Sequence, residues 1–216
     1  MASLQINPKA QEVLDYWLGE GWQTAPASDT RADRSKIWFQ GGPAVDEEIT
    51  SKFGEYSEAL IRGDLDDWHT GGNIYDALAG IIIGDQFCRN IYRGTAKMYA
   101  ADGRVLSWAK DLVATGRYKE LLPIQKQWAI LPFMHSEVLA DQEECVRLAE
   151  EVREETQSLE DADQMKGMMA FFVQYAERHK IIVEKYGRFP HRNAIIGREN
   201  TPKETQGLAD GSIEGF

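Results

Sequence analysis

Apolar residues recur along this chain at steps of three and four, and almost nowhere at steps of two. The first spacing stacks side chains on one face of an α-helix; the second would mark a strand. Ala10, Val13, Leu14, Trp17 and Leu18 form one such face. Asn7 supplies a cap, Pro8 stands at the first helical position, and Gly19 closes the helix. Val45, Ile49, Phe53, Tyr56 and Leu60 mark a second helix, ended by Gly63. Asn73 caps a third, which is apolar on every side through Ile83 and is therefore predicted to be central. It then turns polar at Asp85, Gln86, Arg89 and Asn90.

Beyond it, the pattern predicts a helix over 95–115, stopped by Gly116 and broken near Asp102 and Gly103. A short helix over 124–131 ends at Pro132, and Ser136 caps a long acidic helix reaching about Gln157. Another runs over 161–186, with Gly187 suited to the left-handed position after it. Thr201, Pro202, Lys203 and Glu204 form a capping box that opens a last short helix. Residues 20–43, rich in Gly, Pro, Ser and Asp, predict a long loop, ordered by an apolar plug at Ile37, Trp38 and Phe39. No strand alternation, linker or readable 34-residue repeat occurs. The expectation is one all-α domain of about eight or nine helices over residues 1–216. It comprises an N-terminal helix and loop over 1–44, a helical core over 45–207 and a tail over 208–216 that frays.

Composition narrows the class. Six Trp, eight Tyr and eight Phe within a 43% hydrophobic chain can furnish one sizeable core. The longest apolar run, 77–83, is far short of the ~20 residues that span a bilayer, so no membrane partner is expected. The first residues lack the basic and apolar regions of a secretory signal. Cys88 and Cys145 have no CxxC spacing, and a cytoplasmic, reducing location is expected. A net charge of -11 would repel nucleic-acid phosphates, so no nucleic acid is expected either.

Against that acidic background, residues 188–198 hold Arg188, His191, Arg192 and Arg198 with no acid among them. Gly187 and Pro190 fix the path of this loop, and Phe189 anchors it. Such a basic knot is either neutralised by carboxylates from the acidic helices or open to an anion. Three further positions could join it. Asp85 and Arg89 lie one turn apart on the buried stripe of the central helix; they form an intrahelical ion pair, or Asp85 orients Arg89 toward an anion. His135 stands just before the acidic helix, with Glu137 in its first turn. His179 falls on the core stripe Met168, Phe172, Tyr175, His179, Ile182, Tyr186. These histidines and Glu137 have no metal-ligand spacing, and neighbouring arginines would repel a cation, so no metal is expected. No GxSxG, P-loop or GxGxxG pattern occurs, and no cofactor is expected.

Taken together, several stretches resemble a bacterial family called domain of unknown function 924. They are Val13 through Gly19, Trp38-Phe39, Asp85-Gln86-Phe87, Arg89 through Gly94, Leu131 through Glu137, Tyr186 through Asn193, and Gly197-Arg198. Cys88 stands where that family carries proline. The resemblance implies stacked helical hairpins in a tetratricopeptide-repeat-like (TPR-like) right-handed superhelix, with repeats too diverged to read; it supplies no activity. The expected function is binding of a small anionic molecule or peptide carboxylate. Arg89, Arg188, Arg192 and Arg198 would supply charge, His135, His179 and His191 donors, and Asn90 and Asn193 orientation, with Asp85 holding Arg89. Two rivals remain: an enzyme using His191 or His135 as general acid or base, and a protein-binding scaffold whose polar cluster is purely structural.

Overall fold

The first apolar stripe becomes helix α1 (Pro8–Leu18) in the computed structural model, which describes residues 5–213. Asn7 caps it by accepting the Lys9 N–H at 2.9 Å. It is followed by α2 (Pro43–Arg62), α3 (Asp66–Thr70), α4 (Ile74–Ile82), α5 (Cys88–Ile91) and α6 (Asp102–Ala114). The second half contains α7 (Pro123–Met134), α8 (Leu139–Gln157), α9 (Asp163–Tyr186), α10 (Asn193–Ile196) and α11 (Pro202–Ala209). No strand occurs among the described residues. The α-helices there number eleven rather than eight or nine. The surplus comes from α3, α5 and α10, each about one turn long and too short for a hydrophobic period to register.

Two local expectations change. The loop over 20–43 contains a 3₁₀ turn at Ala32–Arg34 and a π-helical turn at Lys36–Gln40. Within its plug, Trp38 packs on Trp128 at a ring separation of 4.9 Å, whereas Phe39 stays 63% exposed. Pro132 does not end α7, which continues to Met134. A proline deprives only one carbonyl of its donor, and every residue of this helix is buried by tertiary packing, which outweighs that loss. Helix α11 continues to Ala209, and buried Ile213 donates its N–H back to the Gly207 carbonyl at 3.0 Å. Residues 1–4 and 214–216 of the expected terminal units lie outside the described residues.

Helix α4 is central, as its all-round apolarity predicts. Its residues from Ala77 to Ile82 are buried, and it packs against α1, α6 and α7. Gly80 and Gly84 let α6 come close: a Cβ on Gly80 would lie 2.3 Å from Trp108, and one on Gly84 2.3 Å from Val105. Between α4 and α5 the helix widens into a π turn, Ile83–Phe87, before resuming through Cys88. An inserted π turn rotates the side chains that follow it relative to the preceding stripe. Helices α7, α8 and α9 pack successively, α8 and α9 along most of their length. The main apolar cluster extends from Ala10 in α1 to Ala176 in α9. Among the described residues, no helix is long and apolar enough to cross a membrane.

Candidate functional site

Asp85 sits inside the π turn and is buried. One carboxylate oxygen lies 2.7 Å from Nδ1 of His135, and the other accepts the Gln86 amide at 2.7 Å. Burial by itself would raise the Asp85 carboxyl, but His135 and Arg89 outweigh it and hold it well below the usual carboxylate range. His135 occupies the C-terminal cap of α7, and burial lowers its imidazole below the ordinary value. The pair at neutral pH is therefore an aspartate beside a neutral imidazole.

Arg89 lies one turn beyond Asp85. Its side chain donates to the Asp85 carbonyl at 2.6 Å and clamps both carboxylate oxygens of Asp102 at 3.0 Å each. Its distance to the Asp85 carboxylate is 3.6 Å. The Asp85 carbonyl and carboxylate thus both lie beside Arg89, but Asp102 at the start of α6 is its main anion. Asn90 turns away: it and Arg93 both donate to Asp46 of α2, at 2.8 Å and 2.7 Å.

The basic loop divides in two. Arg188 forks onto Glu204 of α11 at 2.6 and 2.8 Å, and buried Asn193 donates to Asn200 at 2.7 Å. Glu204 is also the capping-box acid of α11, accepting the Thr201 N–H at 2.7 Å. These contacts tie the C-terminal segment down. Arg198 forks onto Glu137 at 2.6 and 2.7 Å and receives orientation from Asn193 Oδ1 at 2.8 Å. Glu137 also accepts the Phe189 N–H at 2.8 Å. Although burial would raise it, the Arg198 and Phe189 donors keep its carboxyl low.

Arg192 is different. It is only 8% exposed, and its guanidinium lies over the rings of Phe189 and Tyr99, 4.5 Å and 4.7 Å from their centroids. One terminal nitrogen donates to the His135 carbonyl at 3.0 Å, and the closest carboxylate, already committed to Arg89, is Asp102 at 3.8 Å. Its Nε is buried without a hydrogen-bond partner among the described residues. Burial, then the nearby Arg89 charge, lower its pKa, the opposite of the shift that a well-paired arginine shows.

Arg192, His135, Tyr99, Asp102 and Glu137 share a cleft of about 290 Å³, together with Ser136, Pro132, Gly103, Leu106 and Ile196. Of the expected catalytic and ligand-binding residues, only His135 and Arg192 line it. Asp85 and Arg89 stand behind them. His179 is 1% exposed, 6.1 Å from the His135 ring and 5.7 Å from Phe189, and burial lowers it to about 3. His191 packs on Phe189 at 5.6 Å, with burial lowering it to about 4, and it does not line the cleft. The expectation of four arginines converging on a hollow is therefore corrected: Arg89, Arg188 and Arg198 are each locked onto a carboxylate. Tyr99 carried no signal in the sequence, and Asp102 figured there only as a break in the helix expected over 95–115. Among the described residues, no cluster of three or more metal-ligating side chains forms.

The sequence profile described as bacterial protein of unknown function (DUF924) matches residues 13–212. A solved structure of a protein of unknown function from Agrobacterium tumefaciens is 32% identical, with a TM-score of 0.72. The match covers 94% of this chain and 97% of that one. No curated protein matches.

Proposed function

This chain belongs to the bacterial DUF924 family, and on that footing we propose that it binds a small carboxylate-bearing molecule in the cleft between α6, α7 and the 190–192 turn. The observation that carries this is Arg192: a buried guanidinium stacked between two aromatic rings, on a cleft wall, without a carboxylate of its own. A charge in that condition gains more from an incoming anion than one already paired. The cleft volume suits a small molecule rather than a macromolecular segment.

The surrounding charges narrow the ligand. Arg89, Arg192 and Arg198 face Asp85, Asp102 and Glu137, so the locus is balanced. A polyanion would meet Asp102 and Glu137 on the same walls and be opposed by them. A molecule with one anionic group for Arg192 and an N–H or O–H donor for the acids fits better, as an amino acid or a free peptide terminus would. A protein-binding scaffold would call for a continuous apolar groove. Among the described residues the exposed large apolar side chains are Phe39 on the loop, the adjacent Val138 and Leu139 at the start of α8, Phe171 and Ile181 ten positions apart on α9, and Leu208 on α11, distributed over four elements. The successive packing of α7, α8 and α9 supports the TPR-like reading of the fold, and two buried, unbridged thiols, Cys88 and Cys145, fit a cytoplasmic location.

Thermal melts with amino acids, dipeptides, simple carboxylates and inorganic phosphate test the reading. Amino acids or dipeptides are expected to raise the melting temperature of the native chain by roughly 5–10 °C at ~100 Kd, and Arg192→Ala to remove that rise. An equal rise in Arg192→Ala, or no rise with any of these ligands, would overturn it.

A further inference from the structure

We infer that His135 is the proton acceptor of this cleft, with Asp85 as the residue that positions it. The inference rests on the cleft reading for its ligand, but its geometry stands independently. Asp85 Oδ1 lies 2.7 Å from His135 Nδ1, which commits that nitrogen to the buried side of the ring. The His135 side chain keeps 16% of its exposure and lines the cleft, while Asp85 keeps 2%. The nitrogen left for the cleft is Nε2, which is not among the buried polar atoms lacking a partner. A carboxylate on Nδ1 fixes the tautomer with a proton there, so Nε2 presents a lone pair.

Every element packed around His135 bears on its charge. The π turn and α5 bring Asp85 and Arg89, α6 brings Asp102, α9 brings His179, and the 190–192 turn brings His191 and Arg192. Burial opposes protonation most; Asp85 favours it, Arg89 and Arg192 add to the opposition, and Asp102 is spent on Arg89. The imidazole therefore rests neutral and can charge when a proton arrives, with Asp85 stabilising the imidazolium. The step is a transfer of H⁺ from an O–H or N–H of the bound molecule, or of a water beside it, to Nε2. The electron pair remains on the oxygen or nitrogen, and Arg192 holds the anionic group in register. The buried imidazole His179 lines no part of the cleft, so it has no access to such a proton.

Two measurements on the full chain, neither needing the ligand, test this. Nitrogen-15 NMR of the native protein near neutral pH is expected to show His135 as the Nδ1–H tautomer. An Nε2–H tautomer or an imidazolium would overturn the assignment. The second uses diethyl pyrocarbonate, which a neutral imidazole attacks. The N–C bond forms as an anhydride C–O bond breaks, and the leaving ethyl carbonate takes up a proton and yields carbon dioxide and ethanol. Peptide mass spectrometry is expected to find His135 modified ahead of His179, with its rate holding to lower pH than for a free histidine. Asp85→Asn should slow that modification by about tenfold or more, through loss of the tautomer. Equal rates in native and Asp85→Asn protein, or protection of His135 as complete as that of His179, would sink the proposal. Should Asp85→Asn fail to fold, the native tautomer alone decides. Failure of Arg192→Ala to alter ligand binding would leave both readouts standing, so the two readings fail separately.

Discussion

Asp102 grips Arg89 through both carboxylate oxygens, and Arg89 in turn reaches the backbone carbonyl of Asp85. Losing one charge from such a cluster leaves another stranded in a poorly solvated place. In Asp102→Asn, Arg89 would keep only the Asp85 carboxylate at 3.6 Å, and a loss of about 2–4 kcal/mol is expected in urea unfolding. An exposed pair behaves otherwise: Lys52→Ala breaks its 3.3 Å contact with Glu48, and the same measurement should register less than about 0.5 kcal/mol. The Asp85 and Arg89 pairing was readable because both lie on one stripe one turn apart. The clamp by Asp102 was not, because nothing local distinguishes it from the other carboxylates of an acidic chain.

Among elements, the junction of α4, its π turn and α5 decides the most. Caps and stripes marked α4 clearly, and Asn73 does cap it, accepting the Tyr75 N–H at 2.9 Å. Nothing in the period announced the π turn, since five residues in a wider helix keep the same apolar and polar sequence. Gly84 lies in that turn against α6, where a Cβ would lie 2.3 Å from Val105, 2.9 Å from Leu60 and 3.2 Å from Ala101. Three buried neighbours on α2 and at the start of α6 cannot all yield at once in a close-packed interior. Gly84→Ala is therefore expected to destabilise the protein by about 1–3 kcal/mol in urea unfolding. The π turn also presents Asp85 to His135, so the same variant should lower the rate of His135 modification. Pro132 gives the reverse lesson: a residue that reads as a helix end is carried through by a fully buried helix around it.

At the scale of the whole molecule, the buried histidines tie stability to pH. His179, lowered to about 3, and His191, lowered to about 4, stay neutral in the folded chain far below the value of an unfolded histidine. As pH falls through about 6.5, the unfolded chain takes up protons that the folded chain refuses. Their contribution is complete above that point and is lost on the way down, by about 1.4 kcal/mol per pH unit for His179 alone at its steepest. Paired carboxylates such as Glu204, held to about 2 by Arg188, add their loss only in stronger acid. The melting temperature should thus already fall between about pH 6.5 and pH 5, and His179→Gln should flatten that arm. A flat native profile there would contradict the burial assigned to His179.

The sequence by itself determined the helical class, most helix limits and the histidines and arginines from which a site could be drawn. Those properties depend on residues a few positions apart, where caps, glycines and steps of three and four act locally. Only the tertiary structure decided which carboxylate each arginine meets. It matched Arg188 with Glu204, Arg198 with Glu137 and Arg89 with Asp102, and left Arg192 on a cleft wall. Ion pairing depends on distances of a few ångströms between groups far apart in the chain, and on how deeply each is buried. A linear pattern carries neither.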